Sequence, residues 1–511
     1  MKKQFIVILI ILTLPIAQFI ALGISDYEFP QIIYSHLKCS NVDNTFHISS
    51  SEIKISSTYN AQDYIGLQDS LWDNGITGNN ITVAVLDTGI FVNHSVFTNN
   101  GTLDWFERIV NFYDVIENQS INPRDDHGHG TWATSILGGN CSEYQGVAPD
   151  VNLVILKIFD STGETNASVL ENAINWVVQN KDVFDIKIVS MSFGAKPEPD
   201  NHDEIARFHS LTRTLIDNGI LVVAAAGNDG GPSKDYGDGT INAPASDKAV
   251  LAVGGVDYEG YMYPNSAKGP TFEGVIKPDV CAPAVGVIGA DKDLQDGYSY
   301  RTGTSGATPF VAGLAALMLE KEETLTPLQL KSIISLTSFK TVNPLAIQDN
   351  IQGWGIIQGY AALDALNNPI LINESTEIGF SLNQNFSVYC LPIKLNPNHY
   401  FFELHQLGAA QAEMYLFNID PNEFGSPILI SHTINQLIPD NLDKRMGVFA
   451  SEDQNYYLVV KLVERASGSF LIRLVFEYRN SAFIILLGIN VISLIYIRKL
   501  TLSFKKRDSK E

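Results

Sequence analysis

The sequence predicts an α/β core with a mostly parallel central sheet, followed by a small all-β sandwich domain and a C-terminal transmembrane helix. Three observations predict it. Between about residues 60 and 365, short β-branched runs alternate with amphipathic stretches. From about residue 370 the pattern changes to aromatic and β-branched segments divided by Asn, Pro, Gly and Asp. Near the end lies an uncharged apolar run followed by a basic tail. Strands alternating with helices imply a parallel sheet covered on both faces, whose strands read as nearly continuous apolar runs.

A chain of 511 residues exceeds one ordinary core, so two folded units plus targeting segments are expected. The formal net charge is −22, from 34 Lys and Arg against 56 Asp and Glu. That balance excludes the basic face a nucleic-acid partner requires and fits a solvated acidic surface.

Residues 1–23 have the layout of a secretory signal: Lys2 and Lys3, an apolar run from Phe5 to Leu14, and small residues Ala21 and Gly23 framing a cleavage site. The alternative is an uncleaved anchor, since apolar character resumes after Pro15 and Gln18. A short N-terminal extension covers 24–59. In the main domain, 60–368, the segments ITVAVL (81–86), VNLVILKI (151–158), IKIVSMS (186–192), ILVVAAA (220–226) and VLAVGGV (250–256) read as buried strands. Ser168–Val178 and Asp203–Asp217 show helical spacing, and an Ala/Leu-rich helix follows Ser305 with Pro309 expected in its first turn. Residues 369–478 read as the antiparallel sandwich, expected to act as a stalk or a substrate-docking module.

Ala482–Ile497 carries no charge, and Asn490 and Ser493 are its clearly polar residues. It is slightly short against the roughly 20 residues that span a bilayer, and Tyr478 and Tyr496 stand where interfacial aromatics are expected. The tail 498–511 holds Arg498, Lys499, Lys505, Lys506, Arg507 and Lys510, which the positive-inside rule assigns to the cytoplasm. Everything between the two apolar ends is then extracytoplasmic: a single-pass protein of the cell membrane, or a two-pass one if the N-terminal segment is not cleaved. Cys39, Cys141, Cys281 and Cys390 are widely spaced without a CxxC pair, so three disulfide pairings stay open. Cys281, in DVCAPAVGV, reads as a buried free thiol.

Four motifs carry chemistry. VAVLDTGI puts Asp87 just past a buried strand, where open α/β sheets place their sites. In DDHGHGTWATSILGG, His129 opens a helix between glycines, as a general base titrating near working pH. A metal site built from His127, His129, Asp125 and Asp126 lacks ligand spacing, and His127 reads as a solvated residue. VVAAAGNDGG ends an apolar strand in Gly227 and Asn228, an amide able to donate to a developing oxyanion. In YRTGTSGATPFVAG, Ser305 starts a helix whose positive end also favours an oxyanion.

In the order Asp, His, Asn, Ser on an α/β pattern, these motifs resemble the subtilisin-like serine proteases, the subtilases. GVAPDVNLVILKI (146–158), Ser190-Met191-Ser192-Phe193-Gly194 and GVIKPDVCAPAVGV (274–287) extend the resemblance across residues 60–365. It implies a three-layer fold and serine endopeptidase chemistry through an acyl-enzyme. Asp87 would orient His129, His129 would take the proton of Ser305, and Asn228 with the Ser305 amide would hold the oxyanion. A peptide or protein substrate would lie along Ser192, Phe193 and Gly194 as an added strand. The first specificity pocket would be walled by those residues and by Ala225, Ala226, Gly227 and Asn228. Asp229 and the acidic loop 235–238 would favour a basic side chain there.

Two positions depart from the family pattern. Gly306 stands where Met is usual and is expected to loosen the first helical turn. Trp132-Ala133-Thr134-Ser135 replaces Val-Ala-Gly and is expected to alter packing behind the base. Residues 24–60 are shorter than the family's usual inhibitory pro-segment. No cofactor is required; structural calcium is compatible with the family, and no loop carries its ligand spacing. Nothing in the sequence sets an oligomeric state. A surface-anchored binding protein on the same scaffold would need a lost catalytic group, and none is missing. An esterase is disfavoured by the absent G-x-S-x-G elbow.

Overall fold

The computed structural model describes residues 46–47, 59–67, 75–98, 108–120, 122–198, 201–231, 239–408, 410–433, 444–464 and 466–477. The expected signal 1–23, apolar span 482–497 and basic tail 498–511 lie outside them. Among the described residues no helix is long and apolar enough to cross a membrane. The described residues belong to one compact unit.

A seven-stranded parallel sheet carries the first half of this unit. Its strands are β1 (Thr82–Asp87), β2 (Ile109–Asp114), β3 (Asn152–Lys157), β4 (Ile186–Met191), β5 (Leu221–Ala225), β6 (Leu251–Val256) and β7 (Val280–Pro283), in the spatial order β7-β6-β5-β4-β1-β3-β2. β1 shows why the sheet is covered on both sides. Val83 and Val85 enter one core with α1 (His129–Gly138) and α4 (Thr304–Lys321), through Ile136, Leu137, Phe310 and Leu314. Ala84 and Leu86 point the other way, into a second core with α2 (Ala167–Phe184) and α3 (His202–Asp217), through Leu170, Ile174, Phe208 and Leu215. A period-two strand between two apolar layers leaves no face for polar residues, and all six residues of β1 are buried.

β2 and β7 escaped the sequence reading. β2 is an edge strand whose half-exposed positions, Val110, Asn111 and Tyr113, break the apolar run. β7 is a four-residue strand within GVIKPDVCAPAVGV (274–287). α2 begins where Asn166 caps it, accepting from Ser168 N at 3.0 Å and Val169 N at 3.1 Å, and it runs past its expected end at Val178 to Phe184. Pro309 sits in the second turn of α4, since that helix already begins at Thr304.

Nine later strands, β10 (Ile370–Ile372) to β18 (Gly468–Glu477), follow β8 (Val287–Ala290), β9 (Tyr298–Arg301) and helices α5 (Pro327–Leu336) and α6 (Gly359–Asp364). They form a five-stranded and a four-stranded sheet, antiparallel except where Ile370–Ile372 pairs in parallel with Val388–Leu395. Ile393, Leu458 and Val460 from one sheet and Phe402, Phe470 and Ile472 from the other join the same hydrophobic core as α4 and α6. This β-rich part is thus a fixed body packed on the α/β part. Ser387 N donates to Gln358 Oε1 at 3.2 Å, and the Trp354 and Phe417 rings meet at 6.0 Å.

Two buried lysines sit in this framework. Lys331 Nζ lies 3.2 Å from Asp279 Oδ1, but Lys277 already holds the other oxygen at 2.6 Å, so two cations share one carboxylate. Lys461 reaches from the β-rich part to Ser338 O at 2.7 Å, with Lys340 nearby. Burial pushes both lysines down to about 7. Cys281 and Cys390 are buried and Cys141 half-buried, all three as free thiols. Burial raises the thiols of Cys281 and Cys390.

A lysine titrating lower in the folded than in the unfolded chain makes folding bind fewer protons. Stability therefore rises with pH from about 7 to about 10.4, and the penalty is complete below about 7. Lys461→Met is expected to raise the thermal midpoint at pH 7 and to flatten its rise toward pH 10. Midpoints measured at both pH values check this, and an unchanged slope contradicts it.

Candidate functional site

The site is assembled at the carboxyl edge of the sheet, where strand order reverses on either side of β1. Asp87, the last residue of β1, is 1% exposed. His129, the first residue of α1, has Nδ1 at 2.8 Å from Asp87 Oδ1 and 3.1 Å from Oδ2, while Thr88 N donates to Asp87 Oδ1 at 2.7 Å. This approach depends on glycine. A Cβ on Gly130 would stand 2.2 Å from Gly89 O, and one on Gly89, at φ 121°, would stand 2.0 Å from Arg124 O.

Asp125, which sequence reasoning considered for a metal, instead organises this helix start. Its Oδ1 accepts from Gly128 N at 2.7 Å, His127 N at 3.1 Å and Thr88 Oγ1 at 2.9 Å; its Oδ2 accepts from Thr131 N at 2.9 Å and Thr131 Oγ1 at 2.6 Å. Burial would raise its pKa, yet these hydrogen bonds outweigh burial and the net shift is downward. Asp126 is engaged elsewhere, 2.6 Å from Lys157 Nζ, which also donates to Thr88 O at 2.9 Å. Among the described residues no group of three or more His, Cys, Asp or Glu gathers to hold a metal.

His127 is not the solvated residue expected. It is half-buried, its Nδ1 enclosed without a hydrogen-bond partner, and the turn at Gly163 lies against its other edge, where a Cβ would stand 3.2 Å from Nε2. Burial first, then repulsion from His129 and Arg301, holds its pKa below the usual histidine value.

Ser305 is the second residue of α4. Every other residue from Thr304 to Leu319 is buried, so this core helix presents a single side chain at its N-terminal end. Of the first-turn amides there, Thr304 N donates to Asn228 Oδ1 and Gly306 N to Gly303 O at 3.0 Å. Pro309 has no N–H to give the Ser305 carbonyl.

Thr304, unremarked in the sequence, ties Asn228 to this turn. Thr304 N donates to Asn228 Oδ1 at 2.9 Å, Thr304 Oγ1 to the same oxygen at 3.2 Å, and Gly227 N donates to Thr304 Oγ1 at 3.2 Å. With its oxygen committed to Thr304, exposed Asn228 keeps its NH2 as the free donor end.

Ser192–Gly194 and Ala225–Asn228 continue from the paired strands β4 and β5. Ser192, Ala225, Ala226 and Gly227 are buried, Phe193 is half-buried and Gly194 exposed. Beside Phe193 and Gly194 opens a cavity of about 320 Å³, walled by Phe159, Leu170 and Phe208 and rimmed by Glu164 and Arg207. Asp229 is half-buried with Lys196 as an electrostatic neighbour; residues 235–238 lie outside the described set.

The two family departures meet in space. The Trp132 ring lies 5.7 Å from that of His129 and donates Nε1–H to Val287 O at 3.2 Å. A Cβ on Gly306 would come within 2.8 Å of its Cη2, and one on Gly289 within 2.3 Å of its Cδ1. Gly306 therefore makes room for an indole and does not merely loosen a turn. Small beside Ser305 compensates large behind His129.

Residues 78–355 match the model of the subtilase family, peptidase group S8. The chain belongs to that family. The serine protease AprX of Bacillus subtilis is 32% identical over 285 residues, covering 51% of this chain and 61% of that protein. Subtilisin DY of Bacillus licheniformis is 31% identical over 272 residues, 53% of this subtilase and 88% of that one. The membrane-bound transcription factor site-1 protease of Rattus norvegicus is 31% identical over 277 residues, 52% of this subtilase but 24% of the other. The match thus spans under two thirds of AprX and about a quarter of the site-1 protease.

The compensation predicts coupled energetics in this subtilase. Gly306→Met alone is expected to cost about 1–3 kcal/mol by overpacking, and Trp132→Val about 3 kcal/mol or more by leaving a cavity. The double variant is expected to be more stable than their sum, with a coupling of about 1–3 kcal/mol. Denaturant midpoints of the four proteins measure it; strict additivity contradicts the packing argument.

Proposed function

We propose that this subtilase is a serine endopeptidase that hydrolyses proteins or peptides outside the cytoplasm through an acyl-enzyme. The observation that carries the reading is the Asp87–His129 pair at the same sheet edge as Ser305, the one side chain not buried between Thr304 and Leu319. Asp87 holds His129 Nδ1 and favours the imidazolium. His129 Nε2 takes the Ser305 proton as Oγ attacks the scissile carbonyl, and later returns it to the leaving amine. Asn228 Nδ2 and the Ser305 amide receive the oxyanion, a role that suits an amide whose oxygen is already occupied. An extended substrate backbone pairs along Ser192–Gly194, and the cavity beside Phe193 receives an apolar side chain. The N-terminal and C-terminal apolar runs and the basic tail support anchorage with the catalytic part outside, and a membrane-bound relative is consistent with it.

A fluorophosphonate probe applied to the membrane fraction tests the chemistry. Labelling is expected in the wild type and absent in Ser305→Ala; equal labelling of the two removes Ser305 from the mechanism. Asn228→Ala is expected to retain labelling while kcat falls about 10²–10³-fold with little change in KM.

A further inference from the structure

We infer that the β-rich part mounts this enzyme with its cleft turned away from the bilayer. Its substrates are then polypeptides that reach the cleft from solvent, and not segments just emerging from the membrane. The inference rests on the anchored-peptidase reading above and narrows its substrate class.

The two edges of the parallel sheet lie far apart. Asp87, His129, Asn228 and Ser305 gather at the carboxyl edge, where Gly303 N donates to Ala284 O at 2.8 Å just past β7. From there α4 runs to the amino edge. Its Glu320 Oε2 accepts from Thr77 N at 2.7 Å and Gly78 N at 2.6 Å, ahead of β1. A helix of 18 residues is about 27 Å long, so the nucleophile stands roughly that far from the amino edge.

The β-rich part lies along this same direction. Lys461, near the end of β17 (Gln454–Leu462), donates to Ser338 O at 2.7 Å. Beyond Ser338 the chain reaches the carboxyl side, where Thr341 Oγ1 donates to Gly260 O at 2.7 Å past the end of β6. The opposite end of the sandwich packs on the amino edge. There β14 (Ala412–Asn418) runs into the loop 419–428, with Arg213 Cζ 5.5 Å and Lys248 Nζ 5.3 Å from the Phe424 ring centre. Arg213 is near the end of α3, and Lys248 stands just before β6. A Cβ on Gly425 would come within 3.1 Å of Leu328 O, at the start of α5.

Glu477, the last residue of β18, belongs to that amino-edge end. It pairs with His399, and the adjacent Asn398 pairs with Ala450. Residues 451–453 then lead to Gln454, whose Nε2 donates to Asn418 Oδ1 at 2.9 Å where the loop 419–428 begins. The chain therefore leaves the sandwich on the side opposite the cleft.

The link to the apolar run is short. Four residues separate Glu477 from the run 482–497, a reach of at most about 18 Å. Turning the cleft to the bilayer would lift Glu477 about 27 Å or more from the surface. The link cannot span that. Nor does the sandwich swing freely, because Ile393, Leu458 and Phe470 share one core with α4 and α6.

The test uses the full-length chain in lipid vesicles and a fluorogenic peptide that the same chain cleaves in detergent. The peptide is coupled to phosphatidylethanolamine in two forms. The short form holds the scissile bond within about 14 Å of the headgroup. The long form adds a rigid helical spacer of about 45 Å. Wild type is expected to cleave the long form at least about 10-fold faster, since the short form does not span to the cleft. Inserting about 30 Gly and Ser residues after Ser481 extends the mean reach of the link to about 30 Å and is expected to abolish that ratio. Energy transfer from a fluorescent fluorophosphonate on Ser305 to headgroup dyes is expected to give a closest approach of about 25 Å or more.

Equal cleavage of both forms by wild type, or a ratio that the longer link leaves unchanged, overturns the inference. So does a closest approach well below the length of α4. Two controls separate the levels. A chain that neither labels nor cleaves sinks the peptidase reading, and one that alkaline carbonate strips from the vesicles sinks the anchorage; either takes this inference with it. A labelled, carbonate-resistant chain with an overturning result sinks this inference alone.

Discussion

The arrangement depends on one close approach: the first turn of α1 against the end of β1. A carboxylate at 1% exposure next to an imidazole needs the two backbones nearer than side chains normally allow. Gly89 and Gly130 meet with no room for a Cβ on either. Asp125 then holds the turn from one side through Thr88, Gly128 and Thr131, and Lys157 ties Thr88 O to Asp126 from the other. Each tie is a charge-assisted hydrogen bond, to backbone, to a hydroxyl or, for Lys157 and Asp126, between opposite charges, so His129 is held by its helix as well as by Asp87.

The second half of the site is built differently. Its hydroxyl comes from a helix that is apolar all round and lies in the shared core, so its axis is set by packing against Val147, Val287 and the helices beside it. Trp132 joins the halves, touching the His129 ring on one side and the Gly306 turn on the other. A rigid link of this kind lets two chain segments separated by more than a hundred positions keep a common geometry. The β-rich part extends the same core, which makes α5 and α6 interior helices in place of a solvated surface.

The order of the strands and the chemical residues could be read from the chain because local rules governed them. Strands covered on both faces must be continuously apolar, and turns that pass close to other backbone must be glycine, so Asp87, His129, Asn228 and Ser305 stood out in glycine-rich settings after buried strands. Strand β2 was invisible because one exposed edge allows Asn111 and Tyr113 into the pattern. Thr304 was passed over because a threonine before a serine has no periodicity to mark it.

By itself, the sequence determined the layer architecture, the order of the chemical groups and the acidic character of the chain, since each follows from composition or from spacing along the backbone. Only the tertiary structure decided that Asp125 holds the start of a helix, that Gly306 answers Trp132, and that Asn242 lies between Gly194 and Gly227. Those are contacts between residues far apart in the chain, and they arise from the volume and hydrogen-bonding capacity left over once the backbones have packed. No local pattern encodes that remainder.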